Sequence, residues 1–331
     1  MKVLELYSGI GGMHMALKES QIQGNVVASI EINNVANEIY KLNFPHTPLF
    51  NMNIEGLSAE FINNLDVDTI LMSPPCQPFT RNGLQKDIRD PRTTSFLHIL
   101  EILPHMNIEN ILIENVKGFE KSDTRNILMQ ALEKGGFSFQ EFIVSPDQIA
   151  IPNSRHRYYC LAKKLPNRFS FKTGSLMEHF PIQLQNNECF CLTEILENIA
   201  DKKFFLSDSI LKKYVNVLDI CHTSSRRSCC FTKAYGRFLE GTGSVLTDRS
   251  EEEVPKILSE AMLQNTDENL RIELLKSLNL RFFTPREVCR LMCFPESFKF
   301  SPNLSDRKKY MLLGNSINVR VVSELIKLLN S

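Results

Sequence analysis

Cys76 closes the run Thr69-Ile70-Leu71-Met72-Ser73-Pro74-Pro75-Cys76-Gln77-Pro78, an apolar strand pattern ending in a proline-rich turn. A free cysteine is ordinarily a small buried hydrophobe. Here the flanking prolines restrict the backbone on both sides and hold the thiol stiffly at a strand end, as a nucleophile would be held. Other groups could work with it. Glu114, in Ile113-Glu114-Asn115-Val116, leaves an apolar strand and could serve as an acid or a hydrogen-bonding base. A buried pairing role is its plainer reading. Arg155 and Arg157 lie two apart in Ile151-Pro152-Asn153-Ser154-Arg155-His156-Arg157. In extended chain they share a side, where they could bind an anion or orient a carboxylate, or simply be surface arginines.

A second chemistry is suggested at the start of the chain. Tyr7-Ser8-Gly9-Ile10-Gly11-Gly12 follows the first strand pattern and opens a helix. Glycines let a backbone turn and approach a ligand closely, and a helix N-terminus offers free N–H groups. Glu31 ends the next strand about twenty residues on, where a carboxylate can accept ribose hydroxyls. Gly-x-Gly-Gly is not the full dinucleotide fingerprint, so a nucleoside site and a structural turn both remain open.

These residues need a scaffold that brings them together. The first 165 residues alternate strand and helix patterns, the signature of a parallel α/β sheet. Strands are expected at Val3–Leu6, Val26–Ile30, Thr69–Met72, Ile111–Ile113, Phe139–Val144 and Tyr158–Ala162. Helices are expected at Gly12–Glu19, Asn34–Asn43, Thr94–Leu103 and Thr124–Lys134, the last capped by Ser122 or Asp123. Ligands of such sheets bind at the carboxyl ends of the strands. The glycine turn, Glu31, Cys76 and Glu114 all fall at such ends. Near the C-terminus, Val319, Val322, Ile326 and Leu329 recur at helical spacing. Asn315 or Ser316 is placed to cap that helix.

Composition narrows the partners. The chain has 331 residues and zero formal net charge, so no global field draws it to a polyanion. The balance hides a dipolar stretch. Residues 199–238 hold eight Lys and Arg against three Asp, and residues 239–273 hold nine acids against three bases. Solvated helix faces explain the acidic part. The basic part carries Phe231, Tyr235 and Phe238 among its charges, a mixture that suits single-stranded nucleic acid. The nine cysteines show no paired Cys-x-x-Cys framework, so free thiols and no metal are expected. No apolar run approaches the ~20 residues of a membrane span, and the opening residues lack a signal-peptide layout. A cytoplasmic location is expected, with a nuclear share left open.

Taken together, Tyr7–Gly12, Pro74-Pro75-Cys76-Gln77, Glu114-Asn115-Val116, Arg155-His156-Arg157 and Gly314-Asn315-Ser316 resemble the motifs of the cytosine-C5 methyltransferases, in order and spacing. The resemblance covers all but roughly residues 175–280. Cys230-Phe231-Thr232, followed by Tyr235-Gly236 and Glu240-Gly241-Thr242-Gly243-Ser244, is similar to the DNA methyltransferase-2-like branch, which methylates tRNA. The resemblance implies an α/β, Rossmann-like S-adenosylmethionine-dependent methyltransferase domain (residues 1–172 and 281–331) with a smaller target-recognition domain (173–280). It implies Cys76, Glu114, Arg155 and Arg157 as catalytic residues. Cofactor contacts are implied for Tyr7, Gly9, Ile10, Gly11, Gly12, Met13, Glu31, Ile32, Asn53, Ile54, Pro74, Asn315 and Ser316. Substrate contacts are implied for Gln77, Cys230, Phe231 and Thr232. Three positions depart from the wider family: Tyr7 for Phe, Asn153 for Gln and Asn53 for Asp. The implied reaction moves a methyl group from S-adenosylmethionine to C5 of cytosine 38 in the anticodon loop of aspartate tRNA, leaving S-adenosylhomocysteine. The implied partner is the tRNA anticodon stem-loop, with weak DNA binding and a monomeric protein. A DNA cytosine-C5 methyltransferase is the alternative, and a catalytically idle nucleic-acid-binding protein a remoter one.

Overall fold

The apolar runs of the first half become one sheet in the computed structural model. The structure describes residues 1–75, 87–181, 188–199, 201–264 and 267–331. Strand β1 (Lys2–Leu6) leads into α1 (Gly12–Glu19), β2 (Asn25–Ile30), α2 (Asn34–Asn43) and the two-residue β3 (Leu49–Phe50). Then come α3 (Ala59–Asn64), β4 (Thr69–Met72), α4 (Thr94–Ile102), β5 (Asn110–Val116), α5 (Asp123–Lys134), β6 (Phe137–Val144) and β7 (Arg157–Lys164). Among the described residues these strands form a seven-stranded sheet in the order β3-β2-β1-β4-β5-β7-β6. The order reverses between β1 and β4, the kind of switch point where such sheets bind ligands.

Both faces of the sheet are covered, which is why its strands read as continuous apolar runs rather than alternating ones. Leu4, Leu6, Ile70, Met72, Ile111 and Ile113 pack into one core. Their neighbours Val3, Leu71 and Leu112 pack into the other. Caps match local chemistry. Asn33 caps α2 through Val35 and Ala36, and Ser122, rather than Asp123, caps α5. The sheet departs from the parallel expectation at one edge, where β7 runs antiparallel to both β5 and β6.

Beyond residue 200 come α6 (Asp208–Tyr214), β8 (Asp219–His222), β9 (Ser244–Thr247), α7 (Glu253–Leu263), α8 (Glu268–Ser277) and β10 (Arg281–Phe282). The three strands make a second sheet, ordered β10-β9-β8. The chain then returns through α9 (Pro285–Leu291), α10 (Asp306–Gly314) and α11 (Val319–Asn330). Val319, Val322, Ile326 and Leu329 of α11 are fully buried, as their spacing requires. Its cap is Asn318, not Asn315 or Ser316, and Asn318 also donates to the Leu291 carbonyl. Helix α11 packs on α1, beneath the glycine turn. Among the described residues no helix is long and apolar enough to cross a membrane.

Directly under that turn lies a buried polar group the sequence did not advertise. Glu5 of β1 is fully buried. Its Oε1 accepts the His14 N–H of α1 at 3.2 Å, and its Oε2 accepts the Tyr40 hydroxyl at 2.9 Å. Tyr40 also meets His14 Nδ1 at 2.9 Å, while the His14 ring stacks on Phe44. Burial pushes the Glu5 carboxyl up to about 8 and the His14 imidazole down to about 3. Folded chain therefore keeps a proton on Glu5 that unfolded chain gives up in the ordinary carboxylate range. By linkage, the Glu5 contribution to stability falls as pH rises from the ordinary carboxylate value of 4.5 through about 8. Gln at this position can accept from His14 and donate to Tyr40. Glu5→Gln is thus expected to be the more stable protein at about pH 9, by on the order of 2 kcal/mol, with the gap closing toward about pH 5. Chemical denaturation of both proteins across that range checks it.

Candidate active site

A cavity of about 500 Å³ opens at the carboxyl ends of β2, β1, β4 and β5. The glycine turn forms one wall. Gly9 has φ +53°, and nothing stands within 4 Å of where a Cβ would be. Any side chain there would be strained and would enter the cavity. Gly12 and Met13 also line it, with Ile10, and Tyr7 donates its hydroxyl to Ser95 Oγ at 3.1 Å across the opening. Gly11 has a different duty. It is not a lining residue, and a Cβ on it would lie 2.3 Å from the Phe44 ring. It serves the packing of α1 against α2.

Glu31 sits where the sequence puts it, and it has a structural task besides. Its Oε2 accepts the Gly9 N–H at 2.9 Å, and its Oε1 accepts those of Ile32 and Asn33 at 2.9 and 2.8 Å. The carboxylate therefore pins the glycine turn to the start of α2. With about four acceptor positions in all, it retains room for a further donor. Ile32, Asn53, Ile54, Pro74, Asn315 and Ser316 complete the predicted lining. Asn53 caps the short turn after it by accepting from the Glu55 N–H at 3.2 Å. The lining fits a nucleoside. Bare Gly9, apolar Ile10, Ile54 and Ile317, and the Glu31 carboxylate would hold S-adenosylmethionine, which supplies an electrophilic methyl group when bound.

The other end of the cavity carries the proton-handling groups. Glu114 is 6% exposed. Its Oε2 accepts the Ser73 hydroxyl at 2.5 Å, and its Oε1 lies 3.5 Å from Arg157 Nε. The antiparallel setting of β7 creates this pair. Arg157 is registered opposite Val116, two residues beyond Glu114 on the same face of β5. A parallel β7 would have carried the arginine to the opposite end of the sheet.

Arg155 does not hold Glu114. It is 3% exposed and reaches into the protein. Nη1 donates to the Phe231 carbonyl at 3.1 Å, and Nη2 donates to the carbonyls of Gly314 and Ser316 at 3.1 and 2.5 Å. Cys230 Sγ lies 3.4 Å from Arg155 Nη1 and 3.6 Å from Arg157 Nη2. Burial works to push the Cys230 thiol up, but the two guanidiniums outweigh it and hold it below the usual thiol range. Cys230 and Thr232 thus stand behind the cavity wall rather than on it. Phe231 is placed in the core at 2% exposure, edge-on to Tyr235 and Phe283. Its ring is not open to a base. Asn153, fully buried, donates to Ser228 Oγ and the Cys229 carbonyl. It ties the arginine segment to the Cys230 segment.

Cys76 and Gln77 lie outside the described residues. The structure also brings in lining residues the sequence reading passed over, among them Ser73, Ser95 and Ile317. Ser73 had a signal, since it precedes the two prolines of the Cys76 turn. Ser95 and Ile317 had none, because only the fold carries them to the cavity.

Comparison with known proteins agrees with this geometry. The model of the family described as C-5 cytosine-specific DNA methylase matches residues 1–331. A protein of Spodoptera frugiperda named tRNA (cytosine(38)-C(5))-methyltransferase is 49% identical over 330 residues, covering 99% of this chain and 98% of its own. A Bos taurus protein of the same name is 44% identical and covers 99% of each chain. The crystal structure of a Spodoptera frugiperda DNMT2 variant superposes with a TM-score of 0.92 at 47% identity, covering 100% of this chain and 99% of that one. Family model, full-length relatives and a shared fold lead to one statement: this chain belongs to the C-5 cytosine methyltransferase family and is a methyltransferase enzyme.

Proposed function

We propose that this enzyme methylates C5 of a cytosine in RNA, that S-adenosylmethionine is the donor, and that cytosine 38 of aspartate tRNA is the target. One observation carries the reading: a nucleoside-type cavity that holds, at its far end, a carboxylate paired with both a hydroxyl and a guanidinium. The names of the full-length relatives support RNA as the substrate.

C5 of cytosine is a poor nucleophile, and addition at C6 activates it. The Cys76 thiolate forms a bond to C6, and the C5=C6 electron pair moves onto C5 and, by conjugation through C4, onto N3. Glu114 meets this change at N3, as donor or as stabiliser of the protonated ring, held in line by Ser73 and Arg157. S-adenosylmethionine would supply the methyl group that C5 takes, its methyl–sulfur bond breaking to leave S-adenosylhomocysteine. A base removes the C5 proton, the C5=C6 bond re-forms, and the S–C6 bond breaks to release Cys76. The target base must leave its stack first. That costs a few kcal/mol, least for a base already unpaired, as in an anticodon loop.

The test compares methyl incorporation into aspartate tRNA and into duplex DNA of matched cytosine content, with wild type and Cys76→Ala. RNA is expected to be the better substrate. The variant is expected to fall by at least about a thousandfold. Faster transfer to the duplex would replace RNA with DNA as the substrate. An active Cys76→Ala protein would remove the covalent step.

A further inference from the structure

The loop after Cys230 contains one large aromatic ring that the fold does not use. Phe231 and Tyr235 are 2% and 3% exposed, but Phe238 is 57% exposed. It is not loose. Its N–H donates to the Ala234 carbonyl at 3.0 Å, and its own carbonyl accepts the Thr242 hydroxyl at 2.6 Å. The loop is closed at its base by Thr232 N–H to Thr242 carbonyl, 2.9 Å. Underneath, Tyr235 and Tyr310 of α10 meet edge-on. The Arg237 guanidinium lies 5.1 Å from the Phe238 ring centre. Held in water by a fixed backbone, with a cation against one face, the ring offers its other face.

The surroundings say what would take that face. Lys233 and Arg237 in the loop, and Arg307 one turn ahead of Tyr310, are exposed and form no ion pair among the described residues. Glu240 is the acid of the loop. The loop also adjoins the active site, since the Thr232–Lys233 backbone rests against Gly314, which lines the cavity. Aromatic and guanidinium planes beside unpaired cations form the usual platform for an unstacked nucleobase on a phosphate backbone.

We infer that Phe238, backed by Arg237, stacks an unpaired base of the RNA loop next to the target cytosine. This rests on the RNA reading above and adds a residue that positions the substrate. The exposed ring can be changed without disturbing the core. The experiment uses full-length protein and anticodon stem-loop RNA carrying 2-aminopurine at positions flanking the target. Wild type is expected to quench the probe at one flanking position. Phe238→Ala should lose the quench and raise KM for RNA by about tenfold, with kcat within about twofold. Phe238→Trp should restore both, whereas Phe238→Leu, apolar but without a ring, should not. Unchanged quenching and KM in Phe238→Ala, or full rescue by Leu, would overturn the inference while the RNA reading stands. A wild-type enzyme that methylates duplex DNA but not the stem-loop would overturn the RNA reading and this inference with it.

Discussion

Glu114→Gln is expected to slow methyl transfer by about a thousandfold while S-adenosylmethionine affinity stays within about twofold. The side chain keeps its size, so the Ser73 hydroxyl can still donate to it. What is lost is the charge facing Arg157 Nε at 3.5 Å and the ability to exchange a proton with the ring. The amide replaces neither function: its N–H₂ would face a guanidinium that is itself only a donor. Glu31 and the glycine turn lie at the other end of the cavity, which is why donor binding should persist. Single-turnover transfer and calorimetric titration of the donor separate the two effects. A residual rate within about tenfold of wild type would remove Glu114 from the chemistry.

Gly314→Ala is expected to be strongly destabilising. Its Cβ would lie 2.2 Å from both the Thr232 carbonyl carbon and the Lys233 nitrogen. Those are backbone atoms, so no rotamer change relieves the clash. They belong to the loop fastened by Thr242, and the Gly314 carbonyl accepts from Arg155. Displacement would therefore travel into the arginine network. A loss of about 3 kcal/mol is expected, at the upper end for overpacking. Gly56 is the control, since no atom stands within 4 Å of its Cβ position. Urea titrations of the two alanine variants check the contrast, and equal midpoints would refute it.

Local chemistry made much of the scaffold legible. Strand Thr69–Met72 and helices Gly12–Glu19 and Asn34–Asn43 have the bounds expected from their apolar runs, turn and cap. The cavity lining was legible where it comes from a motif at a strand end, as with Glu31 and Glu114. What failed to show depends on contacts between distant segments. The direction of β7 is set by pairing on both edges, and the order of residues does not reveal it. Phe231, Tyr235 and Phe238 look alike as aromatics among basic residues. Only packing against Phe283 and Tyr310 separates the two buried rings from the exposed one. Arg155 and Arg157 likewise look equivalent, yet one faces a carboxylate and the other three carbonyls. The two-residue β3 was too short for any periodicity.

Arg155 also bears on how the molecule is made. Its acceptors at Phe231, Gly314 and Ser316 lie 76, 159 and 161 positions further along the chain. During synthesis, β1 to β7 can emerge and pair while this guanidinium still has none of those carbonyls to bind. The cavity wall closes only when the Gly314–Ile317 segment has been made and α11 settles on α1. A chain that stops before Gly314 would then hold the glycine turn and Glu114 without the carbonyls that fix Arg155.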